Sequence, residues 1–133
     1  MSTITNQTIA ERASYDIAVE AQDVGTADVT GAWYSMLGFY RVAVIATSDE
    51  VTEGDTLTIQ LRQAEDDQGT GADDVGEPVT VTAGGIEAIQ AFVEAKASEF
   101  DADKPYVAAQ VGSSADGTIA AAVVIRADGS YRP

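Results

Sequence analysis

The chain has no histidine and no cysteine, and only seven lysines and arginines stand against 22 aspartates and glutamates. Without histidine it lacks the side chain most often used as a general base near neutral pH. Without cysteine it has no thiolate nucleophile, no thiolate metal ligand and no disulfide, so the redox compartment is left open. The shortage of positive charge leaves a net charge of −15. Such a surface repels nucleic-acid phosphates and anionic lipid, so neither nucleic acid nor membrane is an expected partner. No apolar run approaches the ~20 residues a membrane-spanning helix requires. The opening MSTITNQTIAERASYD lacks a basic stretch followed by an apolar one, and no secretory leader is expected there.

What is present is a core-forming composition. Hydrophobic residues make up 45% of 133 residues, while aromatics contribute 7%. That length fits one domain, and the apolar fraction argues against bulk disorder. Much of the apolar content is alanine and valine, which suits thin sheets better than thick helical packing.

Residues 1–14 are polar and aperiodic and read as an N-terminal arm, either frayed or ordered on a partner subunit. A strand pattern starts at Tyr15, where Ile17 and Val19 alternate with Asp16, Ala18 and Glu20. GTADVTG follows as turn material. In the next segment Phe39, Arg41, Ala43 and Ile45 alternate with Tyr40, Val42, Val44 and Ala46. Both faces are apolar apart from Arg41. This predicts a strand buried on both sides, or one whose second face is covered by a neighbouring molecule. TLTIQLRQA is the clearest half-buried strand, with Leu57, Ile59 and Leu61 inward. EDDQGTGADDVGEP, residues 65–78, reads as an exposed loop long enough to suspect a role, and PVTVTA as a short strand after it. Residues 86–92 are open between helix and strand, and a loop or short turn followed by a strand at about 91–98 is the favoured reading. YVAAQVGS and TIAAAVVIRAD read as two strands of a hairpin, joined by SADG with its Asp116-Gly117 turn dipeptide.

Short strands separated by Gly/Asp turns predict an all-β fold. It is an antiparallel, jelly-roll-like β-sandwich over 15–133, with the arm before it and at most one short helix.

Candidate chemistry is sparse. Asp66-Asp67, Asp73-Asp74 and the Asp101/Asp103 pair offer hard oxygen ligands of the kind calcium takes. No regular calcium loop accompanies them, and solvated turn acids are the simpler reading. A two-carboxylate glycosidase or a Ser–Lys hydrolase using Lys96 or Lys104 finds no supporting pattern. The expectation is a chain that is not an enzyme and carries no cofactor and no metal. Trp33, Tyr34, Phe39 and Tyr40 form an aromatic group that could serve as core, as an interface anchor or as a sugar-stacking platform. Arg126, Tyr131 and Arg132 form a polar ending that could pair within the protomer or reach a neighbour. These seven residues are the interface candidates.

The order Trp33-Tyr34-Ser35-Met36, Phe39-Tyr40-Arg41-Val42 and Leu57-Thr58-Ile59-Gln60-Leu61-Arg62-Gln63-Ala64 resembles small virion proteins of tailed bacteriophages. So do Val93-Glu94-Ala95-Lys96-Ala97-Ser98-Glu99-Phe100-Asp101 followed by Tyr106-Val107, and above all the ending from Ala122 to Pro133. The resemblance spans roughly residues 15–133. It departs at the end, where Ser130 precedes Tyr131 and the arginine follows, so a contact from an arginine before that tyrosine does not carry over. The resemblance implies a capsid decoration, or cement, protein on the virion's capsid exterior. Such a protein clasps the major capsid protein and assembles as a homo-oligomer, a trimer or a dimer. It implies no catalytic residues. The alternatives are a glycan- or ligand-binding β-sandwich module and a head–tail connector or tail component.

Overall fold

The structure, a computed structural model, describes residues 13–128. They form nine strands: β1 (Ala13–Asp23), β2 (Val29–Thr30), β3 (Tyr34–Ser35), β4 (Phe39–Val51), β5 (Thr56–Ala64), β6 (Asp73–Thr82), β7 (Glu87–Lys96), β8 (Tyr106–Ser113) and β9 (Ile119–Asp128). A single 3₁₀ turn, Ala97–Glu99, is the helical element among the described residues. None of it is long and apolar enough to cross a membrane.

One sheet runs β1-β9-β4-β7, and the other runs β2-β8-β5-β6 with β3 also paired to β8. Every pairing is antiparallel. The pairs are nested along the chain. The β5–β6 hairpin lies innermost, then β4 with β7, then β2 and β3 with β8, then β1 with β9. Consecutive long strands mostly change sheet. This wrapping over two sheets is the jelly roll, one of the ways an antiparallel fold manages its free edges. The all-β sandwich expected from the sequence is therefore the fold observed.

The core lies between the sheets. Leu57, Ile59, Leu61, Val107 and Val111 from one sheet meet Val42, Val44, Ile89 and Val124 from the other, all buried. Each such side chain contributes about 1.5–3 kcal/mol by leaving water. Alanines at 46, 91, 95, 109, 120 and 122 fill the remaining inward positions. Gly31 is fixed by close approach at the junction of the sheets. Its N–H donates to Ala109 O at 2.9 Å, and the next N–H, of Ala32, donates to Ala18 O at 3.1 Å. A Cβ at Gly31 would overlap that same Ala18 carbonyl.

Three local readings change. Residues 73–78 are not loop. They begin β6, which pairs Asp73, Asp74 and Val75 with Gln63, Arg62 and Leu61. The register breaks between Ile59 and Leu61 because Gly76, at φ +69°, sits in a bulge there. The Gln60 amide fills the bulge, donating to the carbonyls of Leu61, Val75 and Gly76 at 2.9, 3.0 and 3.2 Å. Gly76 and Pro78, both poor strand residues, hide this strand from a pattern reading.

Residues 87–96 form one strand, followed by the short 3₁₀ turn, so the strand starts earlier than the favoured reading. Finally, β8 and β9 are not a hairpin. They lie in different sheets, and the segment between them carries the chain across the sandwich. Ala13 and Ser14 already pair with Ala127 and Arg126. The remainder of the proposed arm lies outside the described residues.

Candidate functional site

Of the seven interface candidates, three come together. Arg126 on β9 projects inward at one end of the sandwich. Its guanidinium lies 5.2 Å from the Tyr34 ring centre and 4.6 Å from that of Phe39. It donates to Ser35 O at 2.6 Å and to Asp16 Oδ2 at 2.9 Å. Tyr34 in turn donates its hydroxyl to Ile17 O at 2.6 Å. Two ring faces and two oxygens thus hold one cation, tying β9 to β1, β3 and β4. Burial is the largest influence on Tyr34 and, with the Asp16 charge, pushes its phenol above the ordinary value. The named contacts all lie within the chain, while Arg126 Nε is buried without a hydrogen-bond partner.

The other candidates are separate. The Trp33 indole covers Gly69 in the β5–β6 turn, so close that a Cβ there would meet Nε1 at 2.9 Å. Tyr40 is exposed and has the Arg41 guanidinium 5.5 Å from its ring centre. Tyr131 and Arg132 lie outside the described residues.

The Asp66-Asp67 and Asp73-Asp74 carboxylates are tied to local partners. Asp66 accepts from the Gln68 and Thr70 backbone at 2.9 and 3.1 Å and from the Thr70 hydroxyl at 2.7 Å, closing the β5–β6 turn. Those bonds hold its carboxyl below the usual range, the Thr70 hydroxyl most of all. Asp73 accepts from Lys104 at 2.6 Å and from Gln63 at 2.7 Å, and Lys104 is the larger cause of its lowered pKa. The same bond raises Lys104, which stays charged and is unsuited to act as a base. Asp74 pairs with Arg62 at 2.9 Å. Asp101 donates its backbone N–H to Gln63 Oε1 at 2.8 Å. No group of three or more acids positioned for a metal occurs among the described residues. A shallow recess of about 370 Å³ beside β1, lined by Val19, Glu20, Gln22, Thr30, Gly31 and Tyr34, brings in one carboxylate.

The feature that pattern reading saw in β4 alone is a surface. On the outer side of the β1-β9-β4-β7 sheet, register aligns Ile17, Val123, Ile45 and Phe92 in one row. It aligns Tyr15, Ile125, Ala43 and Glu94 in the next. Seven of these eight side chains are apolar. Tyr15, Ile17, Phe92 and Val123 are 47, 57, 50 and 41% exposed. A third row sets Ala13, Ala127, Arg41 and Lys96 side by side. The other sheet's outer side is different. It carries Thr58 bonded to Thr80 at 2.9 Å, Arg62 with Asp74, and the polar Gln60, Gln110, Thr56 and Thr82. The signal was present in β4, whose two apolar faces implied a second covering. Its extension across Tyr15, Phe92 and Val123 needed the register.

No protein-family model matches the chain, and no curated protein matches it in sequence. Several solved structures align with it at low similarity. A chain from the structure of the infectious bursal disease virus Gx strain aligns with a TM-score of 0.49 and 13% identity, over 92% of this chain and 33% of that one. A chain of the same virus's VP2 subviral particle aligns with a TM-score of 0.45 and 12% identity, over 92% and 33%. A chain from the disulfide-linked pili of Bacillus endospore appendages gives 0.44 and 12%, over 88% of both chains. This chain spans about a third of the length of the viral chains it matches. Alignments at this level decide nothing about activity or partners.

Proposed function

We propose that this chain is a non-enzymatic virion structural protein that decorates the capsid exterior and cements the major capsid protein shell. The observation that carries the reading is the unequal pair of outer sheet faces. One is polar and internally hydrogen-bonded, and the other is a broad apolar field. Contiguous exposed apolar surface of this breadth marks an interaction surface in a protein that otherwise solvates itself well. The jelly roll supports the reading as a frequent capsid architecture that resists edge-to-edge growth. The net charge of −15 supports it as well, since a decorating subunit must not compete for packaged nucleic acid. The glycan-platform reading is less well supported, because Tyr34 and Phe39 are committed to Arg126 and Trp33 to the Gly69 turn.

Cryo-electron microscopy of purified virions tests the proposal. The expected result is this jelly roll on the outer shell, bridging capsid subunits. Density at the neck or tail alone would replace the cement reading with that of a connector or tail component.

A further inference from the structure

We infer that the apolar face of the β1-β9-β4-β7 sheet is the contact between two copies of this chain, packed face to face. The inference rests on the reading of this face as an assembly surface and names its occupant. The charges select the occupant. Five basic residues lie among the described residues, and three of them, Arg62, Lys104 and Arg126, are in ion pairs. The other two, Arg41 and Lys96, are direct cross-strand neighbours on this face. Like charges placed opposite each other destabilise a strand pair unless a carboxylate joins them. Glu94 stands two residues from Lys96 on the same side of β7 and borders the apolar rows. The rim therefore offers both signs of charge beside a shared apolar field. That combination is self-complementary, which is what a two-fold contact requires.

The size of the face sets the strength. Four strands about 4.8 Å apart, and three rows about 6.8 Å apart along them, give a footprint of roughly 400 Å². Stable pairs bury about 800 Å² per partner. The expected dimer is therefore weak and concentration-dependent, and firm only where copies are held close together, as on a shell. Two bodies of charge −15 repel each other, so salt should strengthen the pair. Screening shrinks from about 10 Å at 0.1 M to about 3 Å at 1 M.

Sedimentation velocity on the full chain, across a concentration series at low and high NaCl, reads this directly. The expected result is a monomer–dimer equilibrium that tightens with salt. Phe92→Gln and Ile17→Gln, which alter exposed positions and leave net charge unchanged, should each weaken it about tenfold or more, with circular dichroism unchanged. Lys96→Glu should weaken it, and adding Glu94→Lys to that variant should restore much of the loss. A chain that stays monomeric at every salt and concentration overturns the inference. So does a dimer indifferent to Phe92, Ile17 and the charge exchange. Either result leaves the cement reading standing, since that is decided by the position of the chain on the virion.

Discussion

The two outer faces of the sandwich are made by the same backbone geometry and filled by opposite chemistry. On the β2-β8-β5-β6 sheet, outward positions carry threonine, glutamine and an Arg–Asp pair, and their polar groups bond across strands. Apart from Arg62 Nε, which is buried without a partner, such a face is finished when the chain folds. On the β1-β9-β4-β7 sheet, the equivalent positions carry Tyr15, Ile17, Phe92 and Val123, which remain largely in water, beside the better covered Ile45 and Ile125. The difference teaches that apolar residues in one sandwich can serve two stages. Inward ones hold the protomer, and outward ones are left for a later contact.

Perturbations should separate the two stages. The largest expected loss of protomer stability comes from the internal cluster that anchors the apolar sheet. Arg126→Met removes bonds to Ser35 and Asp16 and the stacking on Tyr34 and Phe39. A cost of about 2–3 kcal/mol in urea unfolding is expected. The larger penalty of a stranded buried charge does not apply, because Asp16 is 36% exposed and can rehydrate. Next is the finished polar face. Gln60→Ala leaves the carbonyls of Val75 and Gly76 without their donor in the β6 bulge, and should cost about 1–2 kcal/mol.

Acid titration should give a smaller effect. Asp73 is held below its ordinary value by Lys104 first and Gln63 second. A depressed folded-state pKa contributes stability above the unfolded value, about 3.9, and loses it as pH falls through the folded value. Melting curves should therefore fall below about pH 4, and Asp73→Asn should flatten part of that slope. The smallest effect on folding is expected on the apolar face itself. Phe92→Gln should change protomer stability by less than about 0.5 kcal/mol, although its effect on association is large. A large loss of stability there would place Phe92 in the core and dissolve the comparison.

Much of this was legible in the sequence where local pattern governs. Leu57, Ile59 and Leu61 alternate cleanly, and β5 follows that alternation because one of its faces is fully buried. The alternation of Val93 and Ala95 against Phe92, Glu94 and Lys96 likewise gives the two sides of β7. What failed depends on partners distant in sequence. Asp116-Gly117 signals a reversal of chain direction, but it does not say which sheet receives the next strand. The β8–β9 connection therefore read as a hairpin. The start of β6 was masked by Gly76 and Pro78, whose bulge is stabilised by Gln60 from the neighbouring strand. Arg126 meets Ser35 and Asp16 across most of the chain, so its partners could not be read from spacing. The apolar face was half visible, in β4 alone. The other half appeared only when register brought β1, β9 and β7 beside it.

Hydroxyl-radical footprinting of aromatic side chains, on dilute and on concentrated high-salt protein, tests the central contrast most directly. Tyr15 and Phe92 report on the apolar face, and Tyr106 on the outer side of the opposite sheet. The account predicts that Tyr15 and Phe92 become protected together on association while Tyr106 keeps its reactivity. Protection of Tyr106 with Tyr15 and Phe92 unchanged would contradict it.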